Sequence, residues 1–262
     1  MSNQPNTYIL GIDLEGINKD LLNQGVDVKT DRVIEVGAVL WDWNLSQPVK
    51  MISELIDEPD RLKISEEVEE LTGLNDQILS DWAFKGEEIR TFLVQLTKTM
   101  EKADYYMAHN SIGYDQPMLE AMFKRYDLEM PNKPWINTLS DIEFPKRMKF
   151  HSMAMLEHSH GFINPFPHRA LTDVLSMLKI ASQYDLSRMT KLAKSPMVTI
   201  AAKLDAPNWR NKSEVEEFNI TKNKVAKSKF KWNPGIKLWT KQVHQVVIDE
   251  GKLNYDFEWY IK

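Results

Sequence analysis

Tyr8-Ile9-Leu10-Gly11-Ile12-Asp13-Leu14-Glu15, residues 8–15, is the stretch from which the rest of the chain can be read. Leu10, Ile12 and Leu14 alternate with Ile9, Gly11, Asp13 and Glu15, which is the two-residue period of a β-strand. Asp13 and Glu15 therefore share one face. An Asp-x-Glu spacing by itself is common on solvated surfaces. At the end of an apolar strand it means more, because two neighbouring carboxylates repel and resist burial unless a cation accompanies them.

Outward from this strand, Asn18 to Thr30 is polar and reads as a loop inserted between strands. Val33 to Leu40 is a near-continuous apolar run, as expected of a strand covered on both faces. Met51 to Ile56 completes an antiparallel meander. Ile89, Phe92, Leu93 and Leu96 then recur at helical spacing. Tyr105 to Ala108 is a short strand, and Pro117 to Phe123 follows as a helix with proline near its start. Trp135 to Leu139 is expected as a fifth strand, Met153 to His158 as a short helix ending at His160-Gly161, and Ala170 to Tyr184 as a longer one. Strands first and then alternating helices and strands imply an α/β mixed sheet flanked by helices.

Two more polar elements stand at junctions of these segments. Asp115 follows His109-Asn110 where a strand gives way to a helix. His168 lies five residues before Asp173, with Pro165 and Pro167 holding its approach extended and Asp173 in the first turn of a helix. An exposed histidine titrates near neutrality and suits a general base. Carboxylate oxygens are the preferred ligands of Mg²⁺ and Mn²⁺, and two such ions can neutralise a scissile phosphate and activate water. The acids and the histidine together read as a phosphodiester-cutting set. His151, His158 and His160 tempt a zinc reading, but the chain has no cysteine and two of them fall at a helix end, where histidine is favoured.

These residues resemble the three motifs of the DEDDh (DnaQ-like) 3′–5′ exonucleases: Asp13-Leu14-Glu15, Asn110 to Asp115, and His168 to Asp173. Ile34 to Val39 and Leu71-Thr72-Gly73-Leu74 add similar text, so the resemblance covers about residues 7–185. It implies an RNase H-like five-stranded mixed sheet flanked by helices. It also implies Asp13, Glu15, Asp115 and Asp173 as ligands of two Mg²⁺ or Mn²⁺ ions, and His168 as the general base. Leu14, the backbone at Gly16, and Asn110 are expected against the terminal nucleotide. Gly16 stands where threonine is frequent, and Asn137-Thr138 where Asp-Thr is common.

At 262 residues, 42% hydrophobic and without cysteine, the chain can bury a large core and has no disulfide framework. Asp13 interrupts the first apolar run, which neither a secretory leader nor a membrane span tolerates, so a cytoplasmic protein is expected. The net charge of −5 is unevenly divided. Residues 1–184 carry 18 Lys+Arg against 29 Asp+Glu, a balance of −11, and residues 185–262 carry 15 against 9, a balance of +6. An exonuclease domain over 1–190 and a small basic extension over 195–262 are expected. Thr221 to Lys241 holds seven lysines and no acid, with Phe230, Trp232 and Trp239 among them and a turn at Asn233-Pro234-Gly235. Lys229 to Thr240 is therefore a hairpin whose Lys229, Trp232 and Trp239 suit single-stranded nucleic acid. The same tryptophans suit packing, and docking to a polymerase or helicase is a third role. The expected activity is 3′–5′ removal of nucleoside monophosphates from the free 3′ end of single-stranded DNA, in repair or end trimming. A short-RNA exoribonuclease and a non-catalytic binding adaptor are the alternatives.

Overall fold

A computed structural model describes residues 6–145 and 147–262. The chain divides into two compact units, the first ending at Ala193 and the second running from Lys194 to Lys262.

In the first unit β1 (Tyr8–Ile17) leads through the short α1 (Leu21–Gln24) to β2 (Arg32–Asp42) and β3 (Gln47–Leu55). Three helices follow, α2 (Glu66–Thr72), α3 (Asp76–Trp82) and α4 (Glu87–Met100), then β4 (Tyr105–Ala108), α5 (Asp115–Arg125) and β5 (Trp135–Asn137). The unit closes with α6 (Met153–Ser159), α7 (Ala170–Ala181) and α8 (Leu186–Ala193). The five strands form one sheet in the order β3-β2-β1-β4-β5. β1 pairs antiparallel with β2 and parallel with β4, so the sheet is mixed and its RNase H-like α/β organisation is the one expected.

Both faces of this sheet are covered, which is why β2 reads as a near-continuous apolar run. Leu10, Ile12, Leu14, Val36 and Ala38 pack on one side with Leu93 and Leu96 of α4 and Met118 and Met122 of α5. Ile9, Val39 and Trp41 pack on the other with Val174, Met177 and Leu178 of α7. Helix α7 lies hard against the sheet. A Cβ on Gly37 would run into the backbone of Ala170 and Leu171, and one on Gly11 would meet Leu178 Cδ1 at 2.7 Å. The close approach brings the first turn of α7 over the end of β1. Gly37→Ala should therefore destabilise the fold by about 1–3 kcal/mol through overpacking, since the obstructing atoms are main chain and cannot rotate away. Urea denaturation measures this, and an unchanged midpoint would contradict the docking.

Several expectations shift in detail. The 18–30 loop contains α1, β5 ends at Asn137 and not at Leu139, and α7 ends at Ala181. Helices α2 and α3, each seven residues long, span too few turns to show a period, but their caps are clear: Ser65 Oγ accepts from Val68 N, and Asn75 Oδ1 accepts from Ile78 N.

The second unit is a four-stranded antiparallel sheet with helices. β6 (Met197–Ala202) precedes α9 (Lys212–Lys227), β7 (Lys231–Asn233), β8 (Leu238–His244), α10 (Gln245–Asp249) and β9 (Trp259–Ile261), in the sheet order β7-β8-β6-β9. Ile200, Ala202, Val225, Phe230 and Val243 form its core. Tyr255 and Phe257 meet Phe230 edge-on, with centroids 5.3 and 5.5 Å away. Of the lysine run, Lys241 turns inward: its Nζ donates to Ser228 O and Tyr255 Oη, both at 3.0 Å. Among the described residues, no helix is long and apolar enough to cross a membrane.

Candidate active site

The register of the sheet places the first two acids. Asp13 lies opposite Gly37 and Glu15 opposite Glu35, and the ladder shifts just after Glu15. Helix α5 supplies a third. Asp115 sits in its first turn, 1% exposed, with Oδ1 accepting the Leu14 N–H at 3.2 Å. Helix α7 supplies the fourth, Asp173, in the same way. The ligand atoms of Glu15, His168 and Asp173 all lie within 4.8 Å of one another. The five residues expected to act together are thus convergent, although 160 positions separate Asp13 from Asp173.

The electrostatics follow from this crowding. Burial pushes the Asp13 carboxyl well above the usual range, and the charges of Asp115, Glu15, Asp173 and Glu35 push it further. Glu15 rises from the usual 4.5 to about 8, by burial and then by Asp173 and Glu35, with Arg169 opposing. Asp115 and Asp173 are both raised, chiefly by burial. Such a set lacks positive charge. Its donors, carboxylate oxygens with an imidazole at the rim, fit a hard divalent cation such as Mg²⁺ or Mn²⁺.

A stability consequence can be measured. Glu15 titrates near 4.5 when unfolded and near 8 when folded, so its ionisation costs the folded state nothing at low pH and the full amount above about 8. Half-buried His109, lowered by burial from 6.5 to about 4, works oppositely, adding stability as pH rises to about 6.5 and nothing further above that. Between pH 6.5 and 8 the metal-free protein should therefore lose melting temperature, and Mg²⁺ should restore more of it the higher the pH. A Mg²⁺ increment that shrinks across that window would contradict the carboxylate site.

The loop bearing His168 is built differently from the extended approach expected from its prolines. Residues 165–168 form a bend and turn. Phe166 N donates to Asn164 Oδ1 at 3.0 Å, and Thr172 Oγ1 donates to Phe166 O at 2.5 Å, which folds the segment back onto α7. His168 is exposed and takes a left-handed φ of 59°. Its backbone N–H donates to Asp173 Oδ2 at 3.0 Å.

Three supporting residues went unrecognised in the sequence. Asn164, 6% exposed, donates from Nδ2 to Asp173 Oδ1 at 2.6 Å, while its own N–H is held by Glu157 Oε2 at 3.1 Å. Glu35, 1% exposed, accepts Arg169 Nε at 3.0 Å and Nη2 at 3.1 Å, tying the residue after His168 to β2. A glutamate inside the apolar run of β2 was the available signal for it. Tyr114 places its hydroxyl 2.5 Å from where a Cβ on Gly16 would be, and donates to Asn18 Oδ1 at 3.2 Å. Glycine at position 16 makes room for that phenol.

A cleft of about 800 Å³ opens beside the acids, lined by Asp13, Leu14, Glu15, Gly16, Asn110 and Asp115 on one side. Asn18 to Leu21 and the α2 residues Val68, Leu71 and Thr72 line the other. Buried Asp31 stiffens the first of these walls, accepting from Asn18 Nδ2 at 2.7 Å, Lys19 N at 3.1 Å and Asp27 N at 2.9 Å. Asn110 takes a φ of 75° and shapes the turn into α5, its carbonyl accepting from Gly113 N and Tyr114 N. Lys229, Trp232 and Trp239 lie in the second unit.

A family model described as Exonuclease (RNase_T) matches residues 11–181. No curated protein matches the chain in sequence. Among solved structures, the nuclease domain of 3′hExo, a DEDDh family member bound to rAMP, is similar with a TM-score of 0.54 at 16% identity, covering 70% of this chain and 93% of that one. A structure described as 3′-end specific recognition of histone mRNA stem-loop by 3′-exonuclease is similar with a TM-score of 0.53 at 17% identity, covering 69% of this chain and 82% of that one.

Proposed function

Because the chain belongs to the RNase_T exonuclease family, whose DEDDh members are metal-dependent 3′–5′ exonucleases, we propose that it removes nucleoside 5′-monophosphates from the 3′ end of single-stranded DNA. The observation that carries the reading is the convergence of buried Asp115, half-buried Asp13, Glu15 and Asp173, and exposed His168 at one end of β1. Asp13, Glu15, Asp115 and Asp173 would hold two divalent ions, Asp13 being central because all three other acids act on it. Bound there, Mg²⁺ or Mn²⁺ supplies neutralisation of the scissile phosphate and of the departing 3′-oxygen, and acidifies the attacking water. His168 accepts the proton of that water as its oxygen bonds to phosphorus and the bond to the 3′-oxygen breaks. Arg169, tied to Glu35, and Asn164, on Asp173, hold the loop from which His168 acts. Leu14, Gly16 and Asn110 line the wall against which the terminal nucleotide rests.

A cleft walled by a stiffened loop and by α2 suits an unpaired end. The second reading is an exoribonuclease, favoured by the solved structure with rAMP bound. Side-by-side digestion of labelled single-stranded DNA, duplex DNA and RNA in Mg²⁺ separates the two. Preferential shortening of single-stranded DNA from its 3′ end supports the first reading, and faster shortening of RNA replaces it with the second. Full activity in excess chelator would overturn both.

A further inference from the structure

The β7–β8 hairpin of the second unit is exposed without a break from Lys231 to Lys237. Two tryptophans face each other across it, Trp232 in register with Trp239, their ring centroids 6.0 Å apart. They are not equivalent. Trp239 is partly buried against the core of Ile200, Val225, Phe230 and Val243. Trp232 is 50% exposed, its ring tilted 55° against that of Trp239. Packing therefore accounts for Trp239 but leaves half of Trp232 unexplained, since an indole gains most by being covered.

Lysines flank this ring in the sequence of the hairpin. Lys229, Lys231 and Lys237 are exposed, and among the described residues none of them has a hydrogen-bonding or ion-pair partner through its ammonium. Lys229 and Lys237 sit at left-handed turn positions, one after α9 and one where the hairpin loop ends, so they flank Trp232 along the chain. Some other lysines of the unit are engaged: Lys203 with Glu258 and Lys224 with Asp256, each at 2.8 Å, and Lys241 with Ser228 O and Tyr255 Oη. The stretch from Thr221 to Lys241 holds no acid to neutralise the three.

We propose that the β7–β8 hairpin binds single-stranded nucleic acid, with Trp232 stacking on a base and Lys229, Lys231 and Lys237 holding the flanking phosphates. The proposal rests on the nuclease reading for the kind of ligand, though not on catalysis. Trp239 is the support behind Trp232 and touches no base. An acidic protein surface would satisfy the lysines but would have no use for a flat, open ring presented beside them. A single strand uses both, because phosphates and base faces alternate along it.

The test measures binding of a labelled oligothymidylate to the full chain in chelator, by fluorescence anisotropy over a range of salt. Trp232→Ala should weaken binding about tenfold, within the usual range for a stacked base. Trp232→Phe, which keeps a stacking ring, should recover most of it. Replacing Lys229, Lys231 and Lys237 together by glutamine should lower the slope of log affinity against log salt by about 2, at roughly 0.7 for each phosphate of a single strand that is no longer neutralised. Melting curves on each variant confirm that the folded protein is being titrated. An unchanged affinity in Trp232→Ala, or an unchanged slope in the triple variant, would overturn the proposal. Since turnover plays no part in chelator, a protein that binds through the hairpin but cuts nothing in Mg²⁺ counts against the catalytic reading alone.

Discussion

Asp13→Asn should leave a protein that melts higher than the unaltered chain in chelator and yet turns over at least about a thousandfold more slowly in Mg²⁺. The two effects have one cause. Asp13 is crowded by Asp115, Glu15, Asp173 and Glu35, and each of these makes its ionised form less favourable. Asparagine keeps the shape and removes the charge, so the folded state is relieved of that repulsion. The same charge is what a metal pair would share. Losing several kcal/mol of charge stabilisation in the transition state, at 1.36 kcal/mol per power of ten, gives the expected fall in rate. Melting in chelator and initial rates on a labelled oligonucleotide measure the pair of effects. A variant with unaltered turnover would remove Asp13 from the site, and one that melts much lower would mean the carboxylate is held by partners and not repelled by neighbours.

That opposition between stability and activity explains why the acids could be read from sequence. Asp13 and Glu15 contradict the strand they lie on, and a chain keeps such a contradiction where function requires it. The same holds for Glu35, which interrupts the apolar run of β2, yet its partner Arg169 stands 134 residues away and no spacing relates them. Gly37 was equally silent: nothing local says that the backbone of Ala170 will lie on it. Asn164 lies among prolines and aromatics in a segment without period, and only the fold places its amide 2.6 Å from Asp173. The prolines at 165 and 167 argued for extension, whereas the side chains of Asn164 and Thr172 bend the segment into a turn. Local competition of this sort, side-chain oxygens against main-chain preference, is decided by neighbours that a linear reading does not have. In the second unit the turn at Asn233-Pro234-Gly235 marked the hairpin. The difference between Trp232 and Trp239 came from what each strand neighbour covers, which depends on β6, α9 and the segment after α10 together.

His168 offers the sharpest separation of role from placement, provided the variant respects the backbone. Its φ of 59° lies in the left-handed region, where alanine is strained and asparagine is among the side chains that tolerate it. His168→Asn therefore preserves the turn, and the N–H donated to Asp173 Oδ2 is main chain and survives the substitution. The acids stay where they are. What disappears is an imidazole nitrogen within reach of Glu15 and Asp173 that could accept a proton. Turnover should fall about 10²–10⁴-fold, the usual effect of removing a positioned base, while KM changes little. The Mg²⁺-dependent rise in melting temperature should persist, because the carboxylates that hold the metal are untouched. Turnover within a factor of ten of the unaltered enzyme would end the general-base assignment. A raised KM with turnover retained would make His168 a group that binds substrate. A fall in turnover together with loss of the Mg²⁺ effect would instead place the imidazole among the metal's own ligands, consistent with its lying within 4.8 Å of Glu15 and Asp173.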